Sequence, residues 1–151
     1  MPARICEIMA DHHAACDTLF AAVESDAAAG RWDAARQRAA ELSEAIEWHF
    51  GAEEAKLFPA IEQTLGSGGP VEVMRYEHEQ IRDLLGALMA SLDASDTADL
   101  RDRSETLLIV IQQHNAKEEN VLYPMCEQFL ADRAESVAIE LQAEVADACR
   151  R

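Results

Sequence analysis

Two eleven-residue segments of the chain follow one pattern, and this repeat restricts the fold more than any other feature of the sequence. HFGAEEAKLFP at residues 49–59 and HNAKEENVLYP at residues 114–124 align without a gap. Each has a histidine, a glutamate four positions later, an aromatic residue and a proline at the same offsets. Positions i and i+4 of a helix lie on one face, so each segment presents its histidine and glutamate together. Two such halves are expected to meet around one centre.

A second pair of matching segments lies upstream of the first. DHHAACDTL at residues 11–19 aligns with EHEQIRDLL at residues 77–85, because both have an acidic residue, a histidine, an aspartate and a leucine at equal offsets. In this alignment His12 is the counterpart of His78, and the two lie 37 and 36 positions before the histidines of the eleven-residue segments. Helical periodicity alone does not rank His13 against His12, and the repeat selects His12. His13 is then expected to be partly exposed or to lie behind a metal ligand.

Apolar residues recur with a period near 3.6 along every long segment, which indicates amphipathic helices. Glycine, proline and capping residues divide the chain between them. The expected helices span about residues 3–30, 32–65 with a disturbance at Pro59, 71–92, 97–130 with Pro124 near the end, and 133–149. Rods of this length joined by short loops predict an all-α, up-down-up-down four-helix bundle. We assign residues 1–131 to the bundle and residues 132–151 to a short C-terminal helix that packs on it or extends it.

Composition and charge exclude several classes of protein. The 151 residues are enough for one domain with its own core. The net charge of −16 disfavours nucleic acid and anionic membrane as partners. The sequence has no apolar run of the ~20 residues that a membrane span needs, and no signal peptide at its start, so a cytoplasmic location is expected. The four cysteines form no CxxC pair. Cys16 lies one helical turn beyond His12, and its role stays open.

Histidines within the apolar stripes raise a question of charge. A buried carboxylate without partners costs several kcal/mol, and two close together raise each other's pKa unless a cation lies between them. A pair of metal ions resolves this conflict, with two imidazoles on each ion, both carboxylates bridging and an open position left for a small molecule. The predicted ligands are His12, His49, Glu53, His78, His114 and Glu118.

The pattern DH…HxxxExxxxFP…EH…HxxxExxxxYP resembles the hemerythrin-like (HHE cation-binding) family over about residues 5 to 130. The resemblance implies a four-helix bundle with a non-haem di-iron centre, bridged by an oxo or hydroxo group, that reacts with dioxygen or nitric oxide. It implies the same six ligands. Manganese or zinc are possible substitutes for iron.

Two positions differ from the oxygen carriers of that family. The carriers have a second histidine one turn before the histidine of the third helix, and Met74 stands at that position here. The carriers also have an aspartate five residues after the histidine of the fourth helix, whereas here Glu118 comes four residues after it. The four-histidine, two-glutamate set looks more like the branch linked to repair of iron–sulphur clusters under nitrosative or oxidative stress. That branch usually has an additional N-terminal domain with a cysteine pair, which this sequence does not contain.

We therefore expect a cytoplasmic di-iron protein that binds O₂, NO or peroxide in sensing, scavenging or stress response. The alternative is an iron-binding, storage or signalling module without turnover. A third interpretation, a helical interaction protein with a vestigial site, predicts that no stoichiometric metal is bound. The sequence leaves open whether the protein is an enzyme, and it identifies neither the redox partner nor the physiological ligand.

Overall fold

A computed structural model of the chain describes residues 3–148, and all regular secondary structure in this range is helical. The helices are α1 (Ile5–Ala28), α2 (Trp32–Ala52), α3 (Phe58–Leu65), α4 (Pro70–Asp93), α5 (Thr97–Lys117), α6 (Tyr123–Leu130) and α7 (Ala134–Ala148). A first π-helical turn (Glu53–Leu57) joins α2 to α3, and a second (Glu118–Leu122) joins α5 to α6. A 3-10 turn (Ala131–Arg133) leads into α7. The predicted all-α fold is confirmed.

Four rods form the bundle, and short loops reverse the chain between them. The first rod is α1, the second is α2 continued by α3, the third is α4, and the fourth is α5 continued by α6. α1 packs against α2, α4 packs against α5, and the pairs meet through contacts of α2 with α4 and of α1 with α5. This arrangement confirms the predicted four-helix bundle. α7 contacts α1 and α6. The division of the chain into a bundle and an appended helix stays a prediction, and Pro2 and Cys149 lie outside the described residues.

The disturbance predicted at Pro59 is a π-helical turn rather than a break. A proline has no backbone N–H and cannot donate the helical bond to the fourth residue before it. Just before the proline, the N–H of Phe58 donates to the carbonyl of Glu53, five positions back. The N–H of Tyr123 makes the same bond to the carbonyl of Glu118, before the second proline. Such turns insert one residue into a helix and are frequent at functional sites.

The core has two apolar clusters, one toward each end of the bundle. The first includes Phe20, Val23, Leu42, Leu88 and Leu107. The second includes Ile5, Met9, Leu57, Phe58 and Met74, together with Ala138 and Leu141 of α7. The facing residues of the two clusters are Met9 and Phe20 in α1, Met74 and Ile81 in α4, and Ile111 and Leu122 in the fourth rod, so about two to three helical turns separate the clusters there. Within residues 3–148, no helix combines the length and the apolar character needed to cross a bilayer.

The buried positions of the two halves follow a single shift. Residues 49 and 114, which begin the eleven-residue segments, are 65 positions apart. The same shift relates buried residues along all four rods, in the pairs Met9/Met74, Phe20/Leu85, Val23/Leu88, Ala35/Leu100, Leu42/Leu107, Ile46/Ile111 and Leu57/Leu122. The core is thus built from two copies of one pattern.

Substitutions at one matched pair test this equivalence. Leu42 and Leu107 are 1% and 0% exposed, so each change to alanine removes packed methyl groups and leaves a cavity. We expect both variants to lose about 2–5 kcal/mol of unfolding free energy. Ile109→Ala is the control in the same rod as Leu107, since Ile109 is 55% exposed, and its effect should stay within about 0.5 kcal/mol. Chemical denaturation with a metal chelator present gives these values, and equal losses at positions 107 and 109 would contradict the described packing.

Candidate metal centre

A group of ionisable side chains lies between the two apolar clusters. Their exposed fractions are 6% for His13, 3% for His49, 1% for His114, and 0% for Glu53, His78 and Glu118. We call these six side chains the polar cluster. Ionisable groups are seldom buried to this degree unless they are paired or bind a metal. The polar cluster therefore needs a source of compensating charge.

All four rods contribute to the polar cluster. The imidazoles come from α1 (His13), α2 (His49), α4 (His78) and α5 (His114), and the carboxylates from the two π-helical turns (Glu53 and Glu118). Each glutamate is the first residue of its π turn and follows a histidine by four positions, so the two side chains lie on one face of the rod. The sequence pattern thus sets the direction of four of the six groups.

The six side chains form two overlapping groups. In the first group, one ligand atom from each of Glu53, His78, His114 and Glu118 lies within 4.8 Å of the others. In the second group, the same holds for His13, His49 and Glu118. Glu118 belongs to both groups, and a carboxylate has two oxygens with which to bind two cations. Each group could hold a metal ion, and the two groups share the carboxylate of Glu118.

Each carboxylate lies between an imidazole of the first group and an imidazole of the second. The Nε2-to-Oε1 distances are 3.2 Å for His13–Glu118, 3.3 Å for His114–Glu118, 3.2 Å for His78–Glu53 and 3.6 Å for His49–Glu53. All four imidazoles therefore direct the Nε2 atom toward the carboxylates. Glu53 thus contacts one imidazole of each group, as Glu118 does.

The Nδ1 atom of each imidazole faces a further side chain. The distances from Nδ1 are 3.2 Å to Glu119 for His13, 2.9 Å to His12 for His49, 3.5 Å to Glu54 for His78 and 2.9 Å to Glu77 for His114. A partner at this nitrogen fixes the orientation and tautomer of a metal-binding imidazole. Three of the four partners are carboxylates, and the partner of His49 is another imidazole.

The structure places His12 beside the polar cluster and His13 within it, which differs from the expectation drawn from the repeat. His12 is half-buried, and its ring centroid lies 4.7 Å from that of Trp48. Burial and the neighbouring imidazoles of His49 and His13 lower the pKa of His12 to about 3, so it is neutral. The Sγ atom of Cys16 lies 3.8 Å from His12 Nδ1, and burial raises the pKa of this thiol to about 12.

One signal in the sequence favours His13. The shift of 65 positions that relates the buried residues also pairs His13 with His78. Under this shift, 36 positions separate His13 from His49 and also His78 from His114. The earlier alignment gave unequal distances because it matched the acid-histidine pairs instead of the helical register. Equal spacing along two copies of a hairpin is the stronger criterion, since it keeps each residue on the same helical face.

Several buried polar atoms of the cluster make no well-aligned hydrogen bond within residues 3–148, although the imidazole nitrogens among them lie 3.2–3.5 Å from carboxylate oxygens. They are Glu53 Oε1, Glu118 Oε2, His114 Nε2 and both ring nitrogens of His78. An unpaired buried donor or acceptor costs about 1–3 kcal/mol. Imidazole nitrogens and carboxylate oxygens are also the ligand atoms that iron, manganese and zinc accept. The residues therefore fit a metal centre by both geometry and donor chemistry.

The carboxylates of the polar cluster differ in pKa. Burial and the nearby charge of Glu118 raise the pKa of Glu53 well above its ordinary value. Burial opposes ionisation of Glu118 too, but interactions with Glu53 and with imidazoles including that of His114 hold its pKa well below the ordinary value. For His78, burial is outweighed by interactions with the two carboxylates, which raise its pKa. In the metal-free protein, protons on Glu53 and His78 therefore offset part of the buried negative charge.

A tyrosine hydroxyl also lies at the polar cluster. Tyr123 is 1% exposed, and its oxygen lies 2.9 Å from His49 Nε2 and from Glu53 Oε2. Burial and the two carboxylates raise the pKa of Tyr123 well above its ordinary value. From the sequence, Tyr123 could flank the site or belong to the core, and the contacts of its hydroxyl follow from the packing of the bundle.

These observations define a helical bundle with an internal metal-binding cluster of four imidazoles and two carboxylates. A family model described as the hemerythrin HHE cation binding domain matches residues 4–126 of the chain. The chain belongs to this family, as the repeated motifs predicted. Comparisons with curated proteins and with solved structures gave no match.

The pH dependence of the metal-free protein tests the buried carboxylate of Glu53. Since the folded protein holds this proton more tightly than the unfolded chain does, stability falls as pH rises from 4.5, the ordinary value, through the raised pKa. The lowered pKa of Glu118 acts in the opposite direction. It stabilises the folded protein above pH 4.5, and this stabilisation is lost as pH falls below that value. Glu53→Gln should remove the fall between pH 4.5 and 6.5, and above pH 6.5 the raised pKa of His78 also makes stability fall as pH rises.

Denaturation at a series of pH values with a metal chelator present measures this effect. Glu54→Gln is the matched control, because Glu54 is part-exposed and interaction with Arg82 outweighs its burial and lowers its pKa. The control should keep the wild-type fall in stability above pH 4.5. An identical pH profile for wild type and Glu53→Gln would show that Glu53 carries no buried charge conflict.

Proposed function

We propose that the chain is a non-haem di-iron protein that binds two iron ions through the polar cluster. The observation that carries this proposal is the pair of overlapping ligand groups joined at Glu118, with unpaired ligand atoms in the first group and on the shared Glu118. The proposed ligands are His13, His49, Glu53, His78, His114 and Glu118. His13 here takes the place that the repeat alignment gave to His12.

The residues around the ligands have separate tasks in this proposal. His13 and His49 would hold one ion, His78 and His114 the other, and the two glutamates would bind both. The side chains at the Nδ1 atoms orient the imidazoles, and the two apolar clusters exclude water from both ends of the centre. Nitrogen and oxygen ligands of this kind suit iron, and they also accept manganese or zinc.

A pair of iron ions with open positions supplies reversible binding of, and electron exchange with, O₂, NO or peroxide. A cavity of about 30 Å³ adjoins His13 and His49 and supports a ligand of this size. It has room for about two water-sized molecules, since one requires about 10–15 Å³. Its walls include Phe20, Leu42 and Ile46. An apolar cavity of this size favours a neutral diatomic molecule over an anion.

Metal stoichiometry in two adjacent variants tests the ligand assignment. Wild type should bind two iron ions per chain, and His13→Ala should lose at least one of them. His12→Ala is the matched control: it should keep two ions with about 10–100-fold weaker affinity, as for other residues that orient a ligand. Elemental analysis after equilibration with ferrous iron measures the content. Full binding by His13→Ala with loss in His12→Ala would reverse the assignment, and iron-free wild type would exclude the centre.

The small-molecule reaction is tested by mixing the di-ferrous protein with O₂ or NO and following its visible spectrum. A spectral change that saturates at a fixed ligand-to-protein ratio is expected for a carrier or sensor. Removal of many equivalents of NO or peroxide indicates an enzyme. An iron-loaded protein that responds to none of the three would instead support the storage or signalling alternative.

A further inference from the structure

The hydroxyl oxygen of Tyr123 is close to atoms of four of the six proposed ligands. Its distances are 2.9 Å to His49 Nε2, 2.9 Å to Glu53 Oε2, 3.1 Å to His13 Nε2 and 3.1 Å to Glu118 Oε1. Three of these four atoms, on His13, His49 and Glu118, belong to residues of the second ligand group. An oxygen this close to three donors of one group is within reach of an ion that those donors hold.

Hydrogen bonding alone does not account for this position. A tyrosine hydroxyl donates one hydrogen and accepts at most two, so it can bond at most three of the two carboxylate oxygens and two imidazole Nε2 atoms that it faces. A site that needed only an apolar ring would be filled by phenylalanine, and burial of a hydroxyl is costly unless its partners are well matched. The hydroxyl therefore needs a role that the ring does not provide.

The repeat supplies an internal comparison. Under the shift of 65 positions, the counterpart of Tyr123 is Phe58, which is also 1% exposed. The ring of Phe58 lies against that of His78, with centroids 5.4 Å apart, and it carries no oxygen. Only one of the two halves thus brings a phenolic oxygen to the centre.

We propose that Tyr123 is a further metal ligand, whose phenolate oxygen binds the ion held by His13 and His49. This inference rests on the proposed di-iron centre. Coordination breaks the O–H bond of Tyr123, forms a bond from its oxygen to the ferric ion, and releases the proton to solvent. The oxidation state of the iron does not change. The two ions of one centre then have chemically different ligand sets, although the protein around them is a repeat.

The two tyrosines of the chain allow a direct test. A phenolate bound to ferric iron gives a charge-transfer band in the visible range, which exposed tyrosines do not give. Wild type, Tyr123→Phe and Tyr76→Phe are loaded with two equivalents of ferric iron, and Tyr76 is the control because it is 71% exposed on α4. The band should appear in wild type and Tyr76→Phe and be lost in Tyr123→Phe. Elemental analysis and helical circular dichroism establish iron content and folding.

Resonance Raman spectroscopy of wild type, excited within the band, gives a readout that does not require Tyr123→Phe to fold. Vibrations of the phenolate ring should be enhanced. Wild type with two bound irons but neither the band nor these vibrations would overturn the role of Tyr123 and leave the di-iron proposal standing. Persistence of the band in iron-loaded Tyr123→Phe would overturn it as well. Wild type that binds no iron would overturn both proposals.

Discussion

Two carboxylates with no exposed surface, those of Glu53 and Glu118, set the main constraint on this structure. They lie between two apolar clusters, where an uncompensated negative charge costs several kcal/mol. The surrounding residues reduce this cost in the metal-free protein through imidazole contacts and a raised pKa at Glu53. The remaining unpaired ligand atoms lie on Glu53, His78, His114 and Glu118, where a bound metal ion would complete the compensation. All five histidines of the chain lie in or beside this region. No histidine is therefore left for a site elsewhere in the protein.

The internal repeat explains the fold and the centre together. A single shift relates the packed residues, both π-helical turns and the paired imidazoles, so a pseudo-twofold bundle forms two similar ligand groups. Two exceptions to the symmetry both lie near the second ligand group, that of His13, His49 and Glu118. His12, behind His49, is the counterpart of Glu77, behind His114. Tyr123 is the counterpart of a phenylalanine. Both place different polar groups near the second ligand group, so the two ligand groups differ in their polar surroundings.

The sequence was sufficient to predict the helices, the bundle and five members of the polar cluster, because their positions follow from helical periodicity and the duplicated motif. His12 and His13 were hard to rank because neighbouring residues of a helix point only about 100° apart, so either could face the core. The alignment of the short acid-histidine motif selected His12, whereas the helical register of the two halves selects His13. The π-helical turns depend on how the chain accommodates Pro59 and Pro124, which spacing does not determine. Contacts such as Glu77 with His114 join different helices, and the position of the Tyr123 hydroxyl depends on packing across the bundle.

Anomalous X-ray diffraction at the iron absorption edge, from crystals of the iron-loaded protein, is the most direct test of the central claim that the buried carboxylates bind a pair of cations. The account predicts two peaks roughly 3.5–4 Å apart. One should lie at the Nε2 atoms of His13 and His49, the other at those of His78 and His114, and Glu118 should contact both. A single peak, peaks confined to the acidic surface, or an iron bound by His12 with His13 turned away would contradict it.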